Sequence, residues 1–189
     1  KWKEYIFIYV HKDEIPNHLN HFIFKIINVI IKEINKMSES NQIHIINEDI
    51  YIKFKQEIPL LELFFTDKHN MFSKQLSMHG REIFRNKKAG FFNININKHN
   101  QIVKGIIYVD IKTYQNDKES VQHILREEII QSLGMVNDIH LAGSIFNQNW
   151  DYNYKYSSLD KKLITFFLSN KIKPGTTKKE VELLNIKSN

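Results

Sequence analysis

Residues 116–138 read NDKESVQHILREEIIQSLGMVND, and the reading of this stretch decides the fold. Asn116 or Asp117 can cap a helix, and Glu119 stands three residues after Asn116, the spacing of a capping box. The helix is expected over 118–133. It should stop at Gly134, a residue that takes the left-handed backbone needed to turn a chain out of a helix. Helical spacing puts His123, Glu127 and Gln131 one turn apart on a single face, with Glu128 about 100° around from Glu127. Two carboxylates splayed in this way make no close acid pair, which argues against aspartic-type and retaining-glycosidase chemistry.

Upstream, residues 3–10 (KEYIFIYV) read as a strand closed by a turn at Pro16. Leu19, Phe22, Ile23, Ile26, Ile27, Ile30, Ile34 and Met37 then recur every three or four positions, which predicts an amphipathic helix of about five turns. Residues 42–55 (QIHIINEDIYIKFK) alternate apolar and polar and read as one or two strands, and 60–66 as another. Residues 67–88 hold His69, His79 and Gly80 with no clean period, so a long loop is expected there. Residues 91–96 and 102–113 read as a hairpin. Downstream come a loop with Gly143 and Trp150, a helix over 159–168 capped by Ser157 or Ser158, and a Pro174-Gly175 turn. Thr177 and Glu180 form a capping box for a short last helix. The order predicts an α+β fold in a single domain over 1–189.

Composition narrows the classes. A chain of 189 residues with 42% hydrophobic and 25% charged residues is neither disordered nor fibrous. No run approaches the roughly 18 apolar residues of a membrane span. With no cysteine there is no disulfide scaffold, thiolate zinc site or cysteine nucleophile. A net charge of +6 invites nucleic acid, yet Arg81, Arg85 and Arg126 are the only arginines and the lysines are spread along the chain, so no nucleic-acid partner is expected. The six glycines are scattered and build no phosphate-cradling loop, and Ser144 lacks a nucleophile-elbow context. Residues 150–156 (WDYNYKY) read as a loop covering the core or as the aromatic lining of a groove. The chain begins at Lys1 without an initiator Met, which reads as a processed or trimmed form from which any signal peptide would already be gone.

Set beside the metzincin pattern H-E-x-x-H-x-x-G-x-x-H, residues 127–137 match at Glu128, on the general-base position, and at Gly134. Glu127, Gln131 and Asn137 fall on the three histidine ligands. The strand near 106–111 and the helix led by Asp160 sit where that fold has them. The chain more closely resembles a bacterial family of envelope proteins known as domain of unknown function 2927. That family carries E-E-x-x-Q-x-L-G-L-x-N-D, then S-I-F-N, an Asp-led helix and a P-G turn. Here these are residues 127–138 (EEIIQSLGMVND), 144–147 (SIFN), Asp160 and Pro174-Gly175. The N-terminal half agrees only in its pattern of elements. The resemblance implies a zincin-like, metzincin-type mixed sheet with an N-terminal amphipathic helix and a central cleft helix, stripped of the usual zinc ligands.

Zinc prefers imidazole, thiolate or carboxylate, and the amides of Gln131 and Asn137 are poor substitutes, so neither a metal nor another cofactor is expected. The expected protein is then a non-catalytic relative of metallopeptidases, a pseudoenzyme. It is placed in the periplasm or cell envelope or secreted, and it binds a peptide or protein in a vestigial cleft at Glu127, Gln131, Asn137 and Asp138. The alternative is an active metal-dependent peptidase in which Glu128 activates water on zinc or another divalent cation held by His123, Glu127 and His140. Apart from the resemblance, Glu127 and Gln131 read as a surface pair or part of a half-buried network. His123 reads as a surface or helix-flanking residue.

Overall fold

The structure, a computed structural model, describes residues 1–2, 5–13, 15–39, 42–66, 90–136, 141–147 and 153–186. The long loop expected over 67–88 lies outside them, as do Asn137, Asp138, His140, Trp150 and Tyr152.

Period-two burial makes β1 (Ile6–His11) a strand with Ile6, Ile8 and Val10 on one face and Phe7, Tyr9 and His11 on the other. It lies inside a five-stranded sheet with order β2-β1-β3-β5-β4, formed with β2 (Ile43–Ile45), β3 (Leu60–Thr66), β4 (Gly90–Ile96) and β5 (Ile102–Asp110). The pairs β1/β2, β1/β3 and β3/β5 are parallel, and β4 runs antiparallel to β5. Parallel neighbours need a crossover. Between β1 and β2 that crossover is α1 (Asn17–Met37), which buries Leu19, Ile23, Ile27, Ile30, Ile31 and Ile34. Asn35 fixes the return, its Nδ2 donating to Ile43 O at 2.9 Å and its Oδ1 accepting from Ile43 N at 2.8 Å.

Residues 42–55, read as one or two strands, hold the short strand β2 followed by a helix, α2 (Glu48–Phe54). Asn47 caps it by accepting from Ile50 N at 3.0 Å, and Glu48 and Asp49 complement the dipole of the first turn. The apolar alternation here is incidental, for Ile50 and Ile52 are exposed. The expected hairpin exists as β4/β5, but β5 stops at Asp110. That carboxylate caps α3 (Ile111–Tyr114), accepting from Thr113 N at 3.1 Å and Thr113 Oγ1 at 2.7 Å.

Helix α4 (Lys118–Ser132) lies against β4 and β5 and touches α1 and α3. Its cap is Asp117, which accepts from Ser120 N at 3.0 Å and Ser120 Oγ at 2.6 Å. It gives out at Gly134 with φ +116°, where a Cβ would also stand 3.1 Å from Phe167 Cζ. Gly134→Val meets both the backbone penalty and the contact, so a loss of about 2 kcal/mol is expected. An unchanged urea midpoint would show that the helix end tolerates a side chain.

Trp2 continues the sheet by a parallel bridge to Ile102, and its indole Nε1 donates to Ser132 O at 3.0 Å. The last helices are α5 (Ser158–Leu168), started by a Ser157/Asp160 capping box, and α6 (Lys178–Ile186), started by Thr177 and Glu180. The main core joins Ile8, Val10, Leu61, Leu63, Phe65, Ile107 and Val109 of one sheet face to the buried sides of α1, α4 and α5.

Candidate functional site

Helix α4 is enclosed on more than one side, so its polar residues go inside with the apolar ones: Ser120, His123, Arg126, Glu128, Gln131 and Ser132 are all buried. Burial of that kind is tolerated only where partners exist. His123, expected at the surface, is 2% exposed. Its Nδ1 lies 2.7 Å from Asn153 O, and since a carbonyl only accepts, Nδ1 is the donor. Its Nε2 lies 3.5 Å from Glu127 Oε2, and Gln131 Nε2 donates to Glu127 Oε1 at 3.4 Å. The stripe is a chain of contacts along one helix face in which His123 and Gln131 are buried and only Glu127 is partly exposed. Asn153 carries it on to the loop, its Nδ2 donating to Gly143 O.

Glu128 points elsewhere, as the helical angle requires. It packs against β4 so closely that a Cβ on Gly90 would stand 2.5 Å from its Oε1 and 2.7 Å from Ile124 Cγ2. Only glycine at position 90 lets the edge strand approach this carboxylate. Glu127 and Glu128 thus serve different surroundings.

Next to them on the helix, Arg126 is buried, and its Nη2 donates to Glu33 Oε2 on α1 at 3.1 Å. Its guanidinium lies 5.5 Å from the centroid of the Tyr156 ring, and the Tyr156 hydroxyl donates back to Arg126 O at 3.4 Å. Burial pushes the Tyr156 phenol up, opposed by the Arg126 charge. Tyr156 therefore covers the core, and it supports the covering reading of the aromatic loop.

The donor set on the α4 stripe is one imidazole whose Nδ1 is committed, one carboxylate and one amide. Among the described residues no three His, Cys, Asp or Glu side chains come together to hold a metal ion. This set does not fit zinc, which takes nitrogen, sulfur and anionic oxygen donors in a tetrahedron.

A second polar group stands on the opposite sheet face, where no sequence motif pointed. Glu62 of β3 accepts from the Tyr51 hydroxyl of α2 at 2.7 Å and lies 3.1 Å from His11 Nε2 of β1. Rings pack around it: Tyr9 stacks on Tyr51 at 3.9 Å, His11 on Phe64 at 3.8 Å and Phe64 on Tyr108 at 5.2 Å. Burial pushes the Glu62 carboxyl up, but the hydrogen bonds from His11 and Tyr51 outweigh it and hold the group below its ordinary value. Burial and the bond to Glu62 raise Tyr51. Its signal lay in the register that sets Tyr9 opposite Glu62 and His11 opposite Phe64, which only sheet pairing reveals.

A family model described as "Protein of unknown function (DUF2927)" matches residues 1–184. No curated protein and no solved structure matches the chain.

Proposed function

We propose, for a chain that belongs to the DUF2927 family of proteins of unknown function, a non-catalytic protein of zincin-like architecture that binds a peptide or protein in a cleft beside α4. One observation carries the reading. The helix face that would present imidazoles to zinc in that architecture instead presents His123, bonded to Asn153 O, and Gln131, donating to Glu127, with His123 Nε2 3.5 Å from Glu127 Oε2. An imidazole, a carboxylate and an amide are good partners for peptide groups and poor ones for zinc. The α+β order and the antiparallel edge strand beside α4 are compatible with a cleft whose floor is that helix. The cell envelope or the exterior is the proposed location, from the likeness to envelope proteins in 127–175.

Incubation with a mixture of tryptic casein peptides tests the reading. All peptides should remain intact by mass spectrometry, with or without added zinc. A subset should be retained with the protein on ultrafiltration, and Glu127→Gln should lower that retention about fivefold, as expected for loss of a charged hydrogen-bonding partner. Metal-dependent cleavage that disappears in Glu128→Gln would establish the active peptidase instead. Retention unchanged by Glu127→Gln would remove the cleft from the account. Among the described residues no helix is long and apolar enough to cross a membrane.

A further inference from the structure

Helix α5 buries Asp160, Ile164 and Leu168 and turns another side outward. There a groove of about 420 Å³ is lined by Lys161, Lys162, Thr165, Phe166, Ser169 and Lys171, with Glu39 across it. Helical spacing continues the apolar strip from Phe166 to Leu163 and Leu159, 37% and 40% exposed. The charges are lopsided. Lys161, Lys162 and Lys171 have no carboxylate partner among the described residues, and the one acidic lining residue, Glu39, already accepts from Asn170 N at 3.1 Å. A further cation, Lys1, donates to Ser169 O at 2.7 Å and Ile172 O at 2.8 Å beside the groove. None of these residues belongs to the α4 stripe.

We infer that this groove docks an acidic peptide segment, with an apolar side chain seated on Phe166 and flanking carboxylates paired to Lys161, Lys162 and Lys171. An apolar floor flanked by three ammonium groups against a single carboxylate, Glu39, is net positive and selects a ligand that is anionic at its flanks and apolar at its centre. Phe166 is only partly exposed and lies in the groove lining among lysines, a setting that receives an inserted peptide side chain better than it enters a bilayer. The site goes beyond the α4 cleft and stands whether or not that cleft binds anything.

Fluorescence anisotropy of the full chain with a fluorescein-labelled Glu-Glu-Leu-Phe-Glu-Asp peptide tests the inference. Saturable binding is expected, weakening with salt as screening requires. The triple variant Lys161→Glu, Lys162→Glu and Lys171→Glu should bind about tenfold more weakly or worse, since each attraction becomes a repulsion. Thr165→Trp, which fills the groove without changing charge, should also weaken binding, and circular dichroism checks that both variants are folded. A Gln-Gln-Leu-Phe-Gln-Asn peptide should bind far less. Equal binding of the two peptides, undiminished binding by the folded triple variant, or no saturable binding overturns the inference. Binding to phosphatidylserine vesicles with none to the acidic peptide overturns it in favour of an anionic membrane surface.

Discussion

Replacing Ile30 with Asp is expected to cost roughly 5 kcal/mol, most of the stability of an ordinary domain. Ile30 is 0% exposed, at the middle of the buried stripe of α1, which packs on β2, α4 and α5. The substitution removes an aliphatic side chain from a filled site and buries a carboxylate there, one helical turn from Glu33, which already engages Arg126. The carboxylate then either takes up a proton or unfolds the helix from the sheet. Neighbouring Lys32, on the exposed side, supplies the control, since Lys32→Asp should change stability by less than about 1 kcal/mol. Equal urea midpoints for Ile30→Asp and the wild type would contradict the packing of α1.

Asp160→Ala is expected to cost about 4 kcal/mol, although it deletes only a small polar group. The carboxylate is 0% exposed, and it accepts from Ser144 Oγ at 2.5 Å, Ile145 N at 3.1 Å and Ser157 N at 2.8 Å. One side chain starts α5 and also pins the loop that carries the buried Ile145 and Phe146. Alanine strands two buried donors, Ser144 Oγ and Ile145 N, and the half-buried Ser157 N at once. Ser144→Ala removes one of those donors and also strands Phe146 N, which donates to Ser144 Oγ at 3.1 Å, so about 2 kcal/mol is expected from it. If Asp160→Ala is as mild as Ser144→Ala in the same denaturation series, the carboxylate does not organise this junction.

The Asp160 junction also shows what the sequence made legible. The SIFN stretch and the Asp-led helix stood out as separate signals, and the structure joins them through one carboxylate. Caps were readable because they are local chemistry: Asp117, Ser157 and Thr177 stand where short polar side chains precede helices. Residues 48–54 were misread because Ile50, Ile52 and Phe54 alternate as in a strand, while the deciding features were the Asn47 cap and the contact of Tyr51 with Tyr9. Local pattern outweighed a cap that was visible all along.

The α4 site was legible as spacing and illegible as environment. Sequence put His123, Glu127 and Gln131 on one face, and the structure brings those three together. Their burial depended on the loop at Asn153, distant in sequence, and so His123 read as exposed. The same holds for Gly90, whose need for glycine is set by Glu128 from another element. The Glu62 group was invisible for the analogous reason, being assembled from β1, α2 and β3.

In the proposed reading, α4 keeps the frame of a metal-binding helix while presenting a donor set that does not hold zinc. Isothermal titration with zinc chloride, on the wild type and on the variant Glu127→His, Gln131→His and Asn137→His, tests it most directly; Asn137 enters through the sequence alignment alone. The wild type should show only weak, substoichiometric heat, because one carboxylate and two amides stand at the positions the proposed alignment gives to imidazole ligands. The variant should bind one zinc orders of magnitude more tightly, as three imidazoles converge on one point, with no requirement that hydrolysis return without a tuned set of groups behind them. Tight stoichiometric binding by the wild type would contradict the non-catalytic reading, and no gain in the folded variant would contradict the zincin-like alignment itself.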